Sequence, residues 1–262
     1  MGRRLPRLIG IEAVRRWLAD GPAYPASEAD RHAIDVLGLR LPLRATVAIA
    51  VVTLVLLADV SRTFLPDEFA LLGRSPVAMR VVALERALLF GLVPLAILLF
   101  VFRERPSRYG LAIGDWRAGA SLTLLGCAIM TPLVLCFATF PDARAYYGQS
   151  VEPLSGLLLT NAIDIAASEF LFRGFLTFVL LRAIGPTGVV VAAMPFVYVH
   201  LGKPELELVS TLLGGLVYGW LAWRTRSILW GTIGHVYVLS LVIVAAGATA
   251  AATGAGIGPT PT

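Results

Sequence analysis

Seven apolar runs, at about residues 43–60, 82–102, 118–140, 154–181, 187–201, 206–223 and 227–250, constrain this 262-residue chain more than any other feature. A helix crosses bilayer hydrocarbon with about 20 predominantly apolar residues. Backbone polar groups in lipid find no water, so a spanning segment satisfies them internally, as a helix does. Charged residues are 15% of the chain and hydrophobic ones 57%, against roughly a quarter charged in soluble domains. The expected fold is therefore all-α: a polytopic transmembrane helical bundle of about seven spans. The separators "RTFLPDEFALLGRSP", "RERPSRYGLAIGDWR", "FPDARAYYGQSVEP", "IGPTG", "LGKPE" and "WRTRS" are rich in Pro, Gly or charge, the residues that punctuate helices.

The runs divide the chain into a basic N-terminal arm (1–40), one transmembrane domain (41–250) and a disordered tail (251–262). In the arm, Leu8, Ile11, Val14 and Leu18 recur at helical spacing among arginines, which suits an amphipathic helix lying in the headgroup plane, a disordered basic arm being the alternative. Glu12, Arg15 and Arg16 interrupt the apolar run that a cleaved signal would need. Cys127 and Cys136 sit about 13.5 Å apart along one helix and are not expected to pair. Gly215 and Gly219, with Ser210 and Gly214, form small-xxx-small pairs that let a neighbouring backbone approach closely.

The formal charge of +5 is almost wholly arginine, Lys203 being the one lysine. Arginines concentrate in the arm, in the 103–117 loop and at Arg224 and Arg226. By the positive-inside rule these segments, and the N-terminus, lie on the cytoplasmic side, and a bacterial inner membrane is the expected location. Anionic headgroups are the expected lipid partner. No segment pairs a basic face with readout residues, so a nucleic-acid partner is not expected.

Each ionisable side chain at the centre of a membrane helix costs about 2.5–3.5 kcal/mol on insertion scales. The 154–181 run nonetheless holds Asp164, Ser168, Glu169 and Arg173, and later runs hold His200 and His235. Glu169 and Arg173 stand at i and i+4, on one face, where they can neutralise each other. Polar residues are expected to gather in these three spans alone, as a buried polar chamber. Such a carboxylate can act as general base toward water, while imidazoles can face a developing oxyanion or ligate a metal. Peptide hydrolysis within the membrane and proton relay in a transporter use the same residue types, and both readings stay open here.

The order "SEFLFRGFL", "FVYVH" and "GGLVYGWLAWRTRSILWGTIGHVYV" resembles the CPBP family, intramembrane endopeptidases that include type II CAAX prenyl proteases and bacteriocin-processing or self-immunity proteins. The family motifs are EExxxR, FxxxH and HxxxN, and the resemblance runs over about residues 105–245. It implies that Glu169 and Arg173 correspond to the second glutamate and the arginine of the first motif, Phe196 and His200 to the second motif, and His235 to the third. Ser168 stands where the first glutamate, the residue held to activate water, is usual. Leu239 stands where asparagine is usual, with Ser240 or Tyr237 as candidate substitutes.

The resemblance implies an endopeptidase acting on a membrane-associated polypeptide. Glu169 would be base or base-positioning group, Arg173 its anchor, and His200 and His235 would face the reacting carbonyl. Asp164, one turn before Ser168, is a candidate compensating carboxylate. The alternatives are a catalytically inactive relative that binds a membrane peptide in an immunity or scaffold role and, third, a transporter. No cofactor is firmly implied; zinc, held by His200, His235 and Glu169, is the metal those donors would suit.

Overall fold

The computed structural model describes residues 21–61 and 66–252. The expected interfacial helix around residues 8–18, and tail residues 253–262, lie outside the described residues. The described chain is an all-α polytopic bundle with one small hairpin at its start. Its helices are α1 (Glu28–Arg31), α2 (Leu43–Ser61), α3 (Pro76–Val101), α4 (Trp116–Phe137), α5 (Pro141–Tyr147), α6 (154–184), α7 (Thr187–Tyr198), α8 (Glu205–Thr225) and α9 (Leu229–Ala252). α2, α3, α4, α8 and most of α9 are long and apolar enough to cross a membrane. α7 is apolar but short. α6 is the helix richest in buried charge.

The elements end where local chemistry stops them. The side chains of Ser75 and Asp115 accept from the backbone amides of Ala78 and Ala118, capping α3 and α4, which satisfies donors left free at a helix start. α8 ends at Arg226, in the left-handed region at φ 57°. α6 is α-helical over Leu154–Glu169, widens into a π-helix over Phe170–Leu176, and tightens again over Thr177–Ile184. The Thr177 hydroxyl donates to the Phe172 carbonyl at 2.7 Å, a local partner for the disturbed ladder.

Packing places α6 at the centre. Every residue from 167 to 182 is buried, as expected of a helix that is apolar nearly all round. α2 and α3 cover one side of it, α7 and α8 another, and α9 lies between α6 and α4. An added methyl at Gly215 would meet Ala193 and Phe196, and one at Gly219 would meet Val189. The small-xxx-small pair therefore serves contact between α7 and α8 of this chain, whereas Gly214 faces open space. Cys127 and Cys136 are both free.

Part of the arm is folded onto the bundle. Strands β1 (Ala33–Val36) and β2 (Leu39–Pro42) pair antiparallel, Ala33 opposite Pro42 and Val36 opposite Leu39. The two-residue turn, Leu37 at φ 52° and Gly38 at φ 80°, has the positive angles of the hairpin turn that matches strand twist. Leucine disguises this turn in the sequence, because an Asn-Gly or Asp-Gly signal is missing. Arg44 fastens the arm to the bundle, donating to Asp30 (2.8 Å), Glu104 (2.9 Å) and the Phe102 carbonyl (2.9 Å). The Trp223 indole donates to Pro22 O and the Tyr24 hydroxyl to Trp223 O.

Candidate functional site

Glu169 closes the α-helical part of α6 and Arg173 lies one turn on, inside the π-helix. Their ion pair spans 3.4 Å, with side chains 1% and 2% exposed. α9 brings His235 to the same carboxylate: Nδ1 lies 2.9 Å from Glu169 Oε1. The approach needs a small residue. A Cβ on Gly231, one turn before His235, would sit 3.3 Å from Glu169 Oε2. Glu169 Oε2 and both terminal nitrogens of Arg173 are buried and make no hydrogen bond among the described residues.

An aromatic cage fixes these groups. The Arg173 guanidinium lies 3.7 Å from the centroid of Phe196, close enough for cation–π attraction. Tyr218 of α8 stacks on His235, centroids 5.1 Å apart and planes 13° apart. Phe196 also touches both imidazoles, at 4.4 Å from His200 and 6.0 Å from His235. His200 follows the end of α7, and its Nδ1 is 2.9 Å from the Phe196 carbonyl.

A carbonyl or carboxylate oxygen can only accept, so Nδ1–H is the donor in both rings, and the neutral imidazoles present Nε2 as an acceptor. His235 is the partly open member, its side chain 14% exposed beside an enclosed Glu169. Among the described residues no three His, Cys, Asp or Glu side chains gather as a metal-binding group. The donor set His200, His235 and Glu169 therefore does not fit a zinc site in this geometry.

Asp164, Ser240, Tyr237 and Leu239 have their contacts outside the cluster. Ser168 is buried on α6. The Asp164 carboxylate is engaged by Arg86 of α3, at 3.3 and 3.5 Å, and the same guanidinium holds Asp59 of α2 through two bonds of 2.9 and 3.0 Å. Ser240 accepts from the Asn161 amide at 2.9 Å, and the Tyr237 hydroxyl meets Thr131 at 2.7 Å. Leu239 packs in an apolar cluster with Val134, Tyr147 and Ile243. Neither substitute for the motif asparagine is hydrogen-bonded to His235.

Polar residues also extend beyond the three expected spans. Asp59, Glu85 and Arg86 are buried or partly buried within α2 and α3. The insertion cost that singled out Glu169 bears on them too, but Asp59 and Arg86 stand near the ends of the apolar runs, where it is smaller. Tyr218 and Gly231 carry no such signal, because an aromatic and a glycine are ordinary in membrane helices.

The fold and cluster together define an integral membrane protein, a helical bundle enclosing a Glu–Arg–His group in its apolar interior. Residues 150–240 match the family described as type II CAAX prenyl endopeptidase Rce1-like. The match covers a little over a third of the chain and contains all four residues of the group. That segment is similar to type II CAAX prenyl endopeptidases, in line with the resemblance read from the motifs. Comparison with curated proteins and with solved structures yields no match.

Proposed function

We propose that the chain is an intramembrane endopeptidase in which Glu169 orients His235 and His235 is the base that activates water. The observation that carries this reading is the 2.9 Å contact between His235 Nδ1 and a fully buried Glu169 carboxylate. A carboxylate bound to one imidazole nitrogen fixes the tautomer and stabilises the imidazolium that forms when the other nitrogen takes a proton. The geometry favours the base-positioning role for Glu169 over direct attack on water, because His235 is the more open of the two.

In the proposed reaction, water adds to the carbonyl carbon of a peptide bond and its proton passes to His235 Nε2. The carbonyl oxygen becomes an oxyanion, for which the Arg173 guanidinium, whose terminal nitrogens make no hydrogen bond among the described residues, is the proposed cationic partner. Collapse of the intermediate breaks the C–N bond, and the proton on Nε2 passes to the leaving amine. Ser168 needs no carboxylate of its own in this scheme. The substrate is a membrane-associated polypeptide; a prenylated CAAX protein is one class that the family match suggests. By the positive-inside rule the arm and the 103–117 loop face the cytoplasm.

A second reading, a noncatalytic relative that binds a membrane peptide, is favoured by one observation. Ser168 replaces the first motif glutamate, and Asp164, the nearest other carboxylate on α6, is held by Arg86. The two readings are separated by incubating the purified protein, in lipid nanodiscs, with a farnesylated internally quenched CAAX peptide and with unlipidated membrane peptides. Cleavage lost by about 10²-fold or more in His235→Ala and Glu169→Gln but kept in Asp164→Asn supports the dyad. Peptides that bind and remain intact support the second reading. Equal cleavage by all variants removes the proposed roles.

A further inference from the structure

On the arginine-rich side of the bundle, a cavity of about 250 Å³ opens between the docked arm, the 103–117 loop and the turn joining α8 to α9. Its walls include Tyr24, Ser107, Arg108, Phe178, Arg182 and Arg226. None of its lining residues is acidic. Arg182 is buried and pinned, donating to Phe178 O at 3.1 Å and to Arg108 O at 2.6 Å. Neither Arg182 nor Arg226 has a carboxylate within ion-pair distance among the described residues, whereas Arg108 is bridged to Glu104 at 2.5 Å. Three guanidiniums thus line the cavity, while the carboxylates close enough to act on them, Glu104 and Asp30, lie outside its walls.

The backbone supports this placement. Arg226 takes the left-handed conformation, φ 57°, where glycine or asparagine is the usual occupant. Burial pushes the Tyr24 hydroxyl up to about 12, against the pull of Arg226 and Arg182. It therefore stays neutral and removes no positive charge from the cavity. Its proton goes to the Trp223 carbonyl, so Tyr24 and Phe178 form an aromatic wall. Ser107, Arg108 and Arg226 remain exposed at the mouth.

We propose that this cavity is a headgroup site for an anionic phospholipid, its phosphate held by Arg226, Arg108 and the Ser107 hydroxyl over the fixed charge of Arg182. Guanidinium groups match phosphate oxygens in bidentate geometry. The apolar wall at Phe178 and the position at the ends of α6 and α8 favour a lipid over a soluble anion, since glycerol and acyl carbons can continue along the bundle surface. The site does not depend on the roles proposed for Glu169 and His235.

The test uses the full chain in a zwitterionic detergent, with dioctanoyl phosphatidylglycerol, dioctanoyl phosphatidylcholine and inorganic phosphate as probes and bound adducts counted by native mass spectrometry. The expected result is retention of phosphatidylglycerol over phosphatidylcholine, about fivefold weaker in Arg226→Asn, as for loss of one interfacial arginine contact. Arg117→Gln, an exposed arginine outside the cavity, is expected to bind as the parent does. Asparagine enters the left-handed region readily, which protects the turn, and Arg108→Gln supplies a second variant away from it. Equal retention of both lipids, parental binding in both cavity variants, or an equal loss in Arg117→Gln overturns the proposal. Displacement of the lipid by inorganic phosphate alone reassigns the cavity to a soluble anion and overturns it as well.

Discussion

His235 and Glu169, 66 residues apart in sequence, meet through a 2.9 Å hydrogen bond in the apolar interior of the bundle. Buried groups that share one proton-binding unit do not contribute independently. If the pair acts as proposed, Glu169→Gln and His235→Ala should each lower kcat by about 10²-fold or more, and the double variant should lose little beyond the worse single one. Turnover measured on one cleavable peptide for all four proteins checks this. Multiplicative losses would argue against a dyad.

Tyr218 is a positioning residue in this scheme, since its ring lies flat against the His235 imidazole. Tyr218→Phe keeps the stacking face and should retain most turnover. Tyr218→Leu frees the ring to rotate, and kcat should fall by about ten- to a hundredfold with little change in KM, since small misplacements carry such losses. A drop of equal size in both variants would assign the effect to the hydroxyl instead.

Arg86 balances two carboxylates, Asp59 and Asp164, contributed by two different helices. Removing one partner from a buried ionic group typically costs about 3–5 kcal/mol, because charge is left without compensation. Arg86→Met should therefore lower the melting temperature strongly, and adding Asp59→Asn and Asp164→Asn should restore much of it. Thermal melts of the three proteins in one detergent decide the matter.

At Gly114 the backbone has φ 62°, and an added Cβ would overlap the Thr225 carbonyl oxygen, itself the acceptor for Asp115 N at 2.8 Å. Gly114→Ala combines positive-φ strain with overlap against backbone, and should destabilise by at least about 1–3 kcal/mol. The melting temperature should fall without selective loss of peptide binding.

Asp30 supplies an acid-sensitive latch for the arm. Burial raises its carboxyl, but hydrogen bonds from Ser27 and Arg44, with the Arg44 charge, outweigh burial and hold it below the usual carboxylate value of 3.8. A depressed folded-state value means that the stabilisation is present above about pH 4 and is lost as pH falls through the folded value. The arm should loosen from α2 below about pH 4, seen as faster backbone amide exchange in residues 27–44 relative to the bundle. Asp30→Asn should remove that acid-dependent step.

Much of the architecture was legible in the sequence, because hydrocarbon imposes length and apolarity on each crossing helix. Glu169, Arg173, His200 and His235 stood out for the same reason: charge in apolar sequence is conspicuous. Asp59 and Arg86 carried that signal too, and were hidden only by their positions near the ends of the apolar runs. The hairpin escaped because Leu37 occupies a turn position normally marked by asparagine or aspartate, and Tyr218 because stacking leaves no mark in composition.

The amino-acid order alone determined a membrane-embedded helical protein, the helices that carry ionisable groups, and the i, i+4 pairing of Glu169 with Arg173, since hydropathy and helical periodicity are local properties. Tertiary structure decided that His235 meets Glu169 while Asp164 turns to Arg86, and that Arg182 and Arg226 share a cavity. Those outcomes depend on which helix faces pack together, and crossing and rotation are set by side-chain complementarity between segments far apart in the chain.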